Sequence, residues 1–339
     1  MIPPRQFLLL RIFLLAGVVA HVAQRPADAY PSLEAPVPGS GDFSISETMH
    51  SMLAEAAQLG PTLNGPGGYQ NFGQYNQPIC KPCQNGPNNQ WTLMPKGLIY
   101  RPYLASAKES RFRSVWNNDH GEGNIWDITL GGKVGVLRYG GEQNGRPVGW
   151  QLGMEGAGLV RLDNDENRDV MASDFRFGIP ITWGDSFYQV KFAYYHLSSH
   201  VGDEFLLKNP GFNRLNFSRN ALVWGISLSP RKQWRVYSEV GYAFASDISQ
   251  QWEFLFGAEY APEGATGMRG KPFAAMNAHL REEVNFGGNV VFQAGWAWRQ
   301  SPSSGMFRMG VEYYNGKNDQ FSFFNDSEQK IGFGIWYDY

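Results

Sequence analysis

Lys330-Ile331-Gly332-Phe333-Gly334-Ile335-Trp336-Tyr337-Asp338-Tyr339 closes the chain, and its two parities differ sharply. Ile331, Phe333, Ile335, Tyr337 and Tyr339 share one; Lys330, Gly332, Gly334, Trp336 and Asp338 share the other. Successive side chains of a strand point to opposite faces, so this pattern predicts a strand with one greasy face and one mixed face. Its length, about ten residues, suits a tilted strand that crosses a bilayer.

The same zigzag recurs upstream. Phe307, Met309, Val311 and Tyr313 oppose Arg308, Gly310 and Glu312. Val290, Phe292, Ala294, Trp296 and Trp298 oppose Gln293, Gly295 and Arg299. Trp252, Phe254, Phe256, Ala258 and Tyr260 oppose Glu253, Gly257 and Glu259, and Phe175, Phe177, Ile179 and Ile181 oppose Asp174, Arg176 and Gly178. Weaker versions run through 98–106, 125–138, 149–160, 186–198, 216–228, 233–245 and 271–284. Together they predict an all-β chain: a closed antiparallel transmembrane β-barrel of about 12 strands, apolar outside and polar within, with a short N-terminal helix and loop segment. The charged, Gly-rich parity is expected to line an interior rather than form a packed core.

Composition agrees. With 29 Lys plus Arg against 31 Asp plus Glu, the chain lacks the basic excess that holds nucleic-acid phosphates, so no nucleic-acid partner is expected. Its 23 Phe, 16 Tyr and 11 Trp supply too much apolar surface for wholesale disorder. Beyond the N-terminus no run of residues is long and apolar enough for a membrane helix.

Residues 1–29 read as a secretory signal: Arg5, then an apolar stretch over 7–20, then Ala27-Asp28-Ala29 before Tyr30. Residues 30–90 are a flexible Pro/Gly/Asn-rich segment holding eight of the 20 Pro, which favours turns and linkers. Within it Ile45, Met49, Met52, Leu53, Ala56 and Leu59 recur at helical spacing, and Gly60-Pro61 stops the run. Cys80-Lys81-Pro82-Cys83 reads as a local disulfide formed after export, with a redox dithiol or half a metal site as the competing reading. Residues 91–339 form the barrel. Short gaps at 140–148, 184–185 and 229–232 and longer ones at 107–124, 161–173, 199–215 and 315–328 orient it, because short turns face the periplasm in bacterial barrels. The expected location is the bacterial outer membrane, with outer-membrane lipid and the barrel assembly machinery as partners.

One segment carries chemistry: Tyr194-Tyr195-His196-Leu197-Ser198-Ser199-His200-Val201-Gly202-Asp203-Glu204. Counted from Tyr188, the residues Val190, Phe192, Tyr194, His196 and Ser198 share the lipid-facing parity. A His and a Ser there are costly without a purpose or a nearby interface. Strand residues two apart align about 7 Å from one another, close enough for an imidazole to take a hydroxyl proton. The competing reading is a polar strand end at the membrane interface, marked by Tyr194-Tyr195.

This His-x-Ser pair resembles that of outer-membrane phospholipase A and, more loosely, the lipid A deacylase barrel. The resemblance implies a lipid-ester hydrolase at the outer leaflet, with Ser198 as nucleophile, His196 as base and an Asn on the next strand orienting the His. Asn216 is the first candidate, with Asn220 and Asn213 as alternates; Asn216 and Asn220 share parity with Leu222, Trp224 and Ile226. The phospholipase pair is followed by Asn-Gly, whereas this chain has Ser199-His200. No cofactor is expected, although Asp203 and Glu204 offer oxygens that would suit a divalent cation such as Ca or Mg. Over most of 91–339 the chain also resembles the exported family known as domain of unknown function 1207. That likeness lies in Leu98-Ile99-Tyr100-Arg101-Pro102-Tyr103, Lys108-Glu109-Ser110-Arg111 and the 195–204 stretch, and it implies a barrel without an established activity. The alternative to an enzyme is a non-catalytic barrel: a narrow pore, a structural protein or a binding protein.

Overall fold

The computed structural model describes residues 89–215 and 217–339. The expected signal, the helix within 45–59, the Cys80–Cys83 pair and Asn216 lie outside them.

Thirteen strands form one sheet: β1 (Gln90–Leu93), β2 (Phe112–Asp119), β3 (Gly123–Gln143), β4 (Arg146–Asp163), β5 (Asp169–Gly184), β6 (Tyr188–Val201), β7 (Phe217–Arg231), β8 (Trp234–Ser246), β9 (Trp252–Tyr260), β10 (Lys271–Arg281), β11 (Gly288–Arg299), β12 (Met306–Lys317) and β13 (Ser327–Asp338). Each strand from β2 onward pairs antiparallel with its sequence neighbour. The C-terminal β13 pairs β2, from Tyr337↔Phe112 to Lys330↔Asp119, and shuts the ring at twelve strands. Closure removes both open edges, which is how a sheet satisfies its backbone in hydrocarbon.

The two ends of the barrel differ. One carries tight connections, among them Asn144-Gly145, where both residues hold positive φ (54° and 75°). Such a two-residue turn matches the right-handed twist of the flanking strands, and Asn-Gly tolerates its geometry. The other end carries the connection after β6, with the helix α1 (Asp203–Lys208), and the β12–β13 connection with a 3-10 turn at Phe321–Phe323. Among the described residues no helix is long and apolar enough to cross a membrane.

The zigzag is borne out as outward and inward faces. Phe175, Ile179, Phe192, Trp224, Phe292, Val311 and Ile331 are exposed, while their neighbours turn inward and are buried. Aromatic pairs ring both ends: Trp183 with Tyr188 and Trp234 with Tyr260 at the turn end, Tyr242 with Trp252 at the loop end. An apolar outer band between aromatic girdles is the outer-membrane type of barrel.

Two expectations fail together. Residues 98–106 are not the first strand; β2 takes that place, inside the gap expected at 107–124. The edge of β3 is used twice, by β2 over 123–129 and by the short β1 over 137–140. Between β1 and β2 the chain turns into the lumen, and residues 95–111 fill it. Ile99, Tyr100, Tyr103, Leu104, Ala105, Ser110 and Arg111 are all buried. Strict alternation arises where a strand separates two different environments; this segment has protein on every side, and Pro102 lacks an N–H for a ladder.

The interior is therefore packed, not an open charged lining. Arg235 donates to the carbonyls of Arg101 and Pro102, both at 2.8 Å, and Arg308 donates to that of Leu104 at 3.1 Å. Lys108 pairs with Asp174, Glu109 with Lys133, and Arg111 with Asp338. Leu104 and Ala105 join Val115, Phe273, Val291 and Trp336 in an apolar cluster inside the ring. At the loop end Arg161 reaches Asp127, Asp319 and Glu328 at 2.7–2.8 Å, and Lys330 meets the same three carboxylates. That hub draws the β12–β13 connection inward, so Phe321 stacks on Phe217 at 4.7 Å across the barrel mouth. Cavities beside Lys108 and His279 have volumes of about 10 and 30 Å³, room for little more than a water. His279 faces the lumen, as its parity indicates, and contacts Glu253 at 2.9 Å.

Candidate functional site on the outer wall

The site is built from alternation and register. On β6 the side chains of Tyr195, Leu197 and Ser199 are 2%, 1% and 1% exposed and point inward. Tyr194, His196, Ser198 and His200 therefore point outward, half-buried on the wall. They lie in the half of β6 nearest the loop end, because β6 ends at Val201 where the long connection begins.

Register with the flanking strands completes the patch. Toward β5, His196 lies opposite Phe177 and Ser198 opposite Phe175, two rings exposed on the same face. Toward β7, His196 lies opposite Asn220 and Ser198 opposite Ser218. Directly opposed residues have Cβ atoms about 5 Å apart, which brings the amide to the imidazole. His196 Nδ1 and Asn220 Oδ1 are 3.0 Å apart. The hydroxyl of Tyr194, on the diagonal, donates to the same Oδ1 at 2.7 Å. The ring of Tyr194 leans on Phe244 at 6.3 Å.

The structure thus brings His196 and Asn220 together and sets Ser198 on the same face. Among the described residues no hydrogen bond joins Ser198 to His196. Asn216, the first candidate from sequence, lies outside the described residues, and Asn213 sits exposed in the connection before β7. From sequence Tyr194 reads only as an interface marker; the signal for more is its shared parity with His196, two residues away. His200 packs its ring 6.0 Å from Phe175.

Asp203 and Glu204 begin α1, exposed and pointing to no common partner. Among the described residues no group of three or more His, Cys, Asp or Glu could hold a metal ion. The same helix ends on Lys208, which bridges Glu166 at 2.9 Å and Asp169 at 2.7 Å and ties the connection to its neighbour. Hydrogen bonds to those two carboxylates raise the Lys208 ammonium above the ordinary lysine range.

The protein family described as "Protein of unknown function (DUF1207)" matches residues 82–339. The chain belongs to that family. No curated protein matches it. Among solved structures, outer membrane phospholipase A from Escherichia coli is 11% identical, with a TM-score of 0.45 over 69% of this chain and 91% of that one. The Salmonella typhi outer membrane phospholipase dimer with bound calcium is 12% identical, with a TM-score of 0.47 over 70% of this chain and 93% of that one. The KdgM porin in complex with disordered oligogalacturonate is 8% identical, with a TM-score of 0.39 over 68% of this chain and 98% of that one.

Proposed function

We propose that this DUF1207 protein is a serine-dependent acyl hydrolase of membrane lipid esters. In this reading it is exported, residues 1–29 are removed, and it sits in the bacterial outer membrane with its loop end outward. Ser198 is the nucleophile, His196 the general base and Asn220 the group that orients the imidazole. The observation that carries the reading is the 3.0 Å contact between His196 and Asn220, made on the lipid-facing side with Ser198 two residues on.

The chemistry needs little else from the chain. His196 takes the Ser198 hydroxyl proton as Oγ attacks the ester carbonyl, and returns it to the leaving alcohol. Water then hydrolyses the acyl-serine by the same exchange. Phe175 and Phe177 flank Ser198 and His196, so an acyl chain lying along the wall meets apolar surface on one side and the reactive groups on the other. A pore is disfavoured, since the plug and its ion pairs occupy the lumen. A structural barrel is the reading left if the chemistry fails.

The test is fatty-acid release from phosphatidylethanolamine in mixed detergent micelles by the full chain, with and without chelator. Ser198→Ala should cut the rate by about 10³-fold or more while leaving the fold intact. Equal release by both proteins, or none by either, would overturn the proposal. Loss of activity with chelator alone would add a divalent cation to the mechanism.

A further inference from the structure

We infer that Tyr194 is a positioning residue that selects the base-competent tautomer of His196. The inference rests on the hydrolase reading for its use, but its physical content is independent of it.

A neutral imidazole carries one proton, and only the form with an unprotonated Nε2 can accept the serine proton there while Nδ1–H is held behind the ring. Which form prevails depends on what Nδ1 meets. Asn220 can turn either end of its amide toward the ring: Oδ1 stabilises Nδ1–H and frees Nε2, whereas Nδ2–H stabilises the opposite tautomer. Rotation of one amide therefore switches the base on or off.

Tyr194 breaks that symmetry. Its hydroxyl lies 2.7 Å from Asn220 Oδ1, and the His196 Nδ1 lies 3.0 Å from the same atom. A carbonyl oxygen has two lone pairs, enough for both donors. Were the amide reversed, the phenol would have to accept from Nδ2–H, and its own proton would turn away from Asn220 to the side where the Phe244 ring lies 6.3 Å from that of Tyr194. An unpaired polar hydrogen in such surroundings is disfavoured, so the phenol holds Oδ1 inward and Oδ1 holds Nδ1–H. The arrangement needs three outward residues on two strands: Tyr194 and His196 at i and i+2 on β6, and Asn220 opposite the His on β7.

The deciding experiment uses the full chain in micelles with ¹⁵N-labelled histidine. Long-range ¹H–¹⁵N correlations assign the His196 tautomer, identified by the signal lost in His196→Gln. Wild type should show the Nδ1–H form, and Tyr194→Phe should convert a large part of it to the Nε2–H form, while Tyr188→Phe on the same face changes nothing. In the hydrolysis assay Tyr194→Phe should lower kcat about tenfold at unchanged KM, with an altered pH profile. An unaltered tautomer in Tyr194→Phe, or an Nε2–H form in wild type, overturns the inference. Inactive wild type with a tautomer that still depends on Tyr194 would sink the hydrolase alone.

Discussion

The β6–β7 pair presents two faces built from similar residue types to opposite ends. Outside, Tyr194, His196 and Asn220 form a half-buried cluster with its hydrogen bonds turned sideways along the wall. Inside, one residue away on each strand, Tyr195 and Arg219 meet Glu253, and Arg176 lies 4.0 Å over the Tyr195 ring. The inner cluster is sealed by protein on every side, so its groups act as structure. The outer cluster touches whatever surrounds the barrel, so its groups are free to act on a substrate. A side chain's parity on the strand, more than its chemistry, decides which role is open to it.

That contrast can be broken from either side. The largest effect is expected outside: Ser198→Ala removes hydrolysis by about 10³-fold or more without shifting the urea unfolding midpoint in lipid. A comparable loss with a large shift in stability would make the outer face structural as well. Next comes the interior hub. Arg161→Ala leaves Asp127, Asp319 and Glu328 to Lys330, with Arg113 3.9 Å from Asp127, and should cost about 3–5 kcal/mol, read as a lower urea midpoint.

Smaller still is Glu253→Gln, directly behind the site. It removes the charge facing Arg219 and His279 but keeps hydrogen-bonding atoms, for a cost of about 1–3 kcal/mol. Lipid hydrolysis per folded molecule should stay at the wild-type rate; a drop would show that the two faces communicate through the strand. The smallest effect is expected from Lys208→Ala on α1. Its bridges to Glu166 and Asp169 are solvated, and no measurable change in unfolding midpoint or hydrolysis should follow.

Much of the wall was legible in the sequence because lipid outside and protein inside impose a strict period of two. The stretch ending at Tyr339 reads correctly for that reason, down to its pairing-ready length. Residues 98–106 misled because their partial alternation carries no such constraint: Tyr100 and Tyr103 hydrogen-bond to each other at 2.7 Å and Tyr103 on to Glu239, all within the lumen. The short β2 has a weak signature because Arg113-Ser114-Val115-Trp116-Asn117 alternates around polar residues on a strand of only eight. Of the candidate site, His196 and Ser198 were visible as polar residues on a greasy parity. The choice among Asn213, Asn216 and Asn220 was not, since sequence parity gives Asn216 and Asn220 the same face and does not say which residue stands opposite His196.

From the order of residues alone came the barrel class, the outward parity and the His-Ser pair, all of them consequences of local periodicity against two solvents. The plug, the identity of the amide behind His196 and the hold of Tyr194 on it came only with the folded chain. Each depends on which residue of one segment stands opposite which residue of another, and that register is set by the whole closed sheet rather than by any stretch within it.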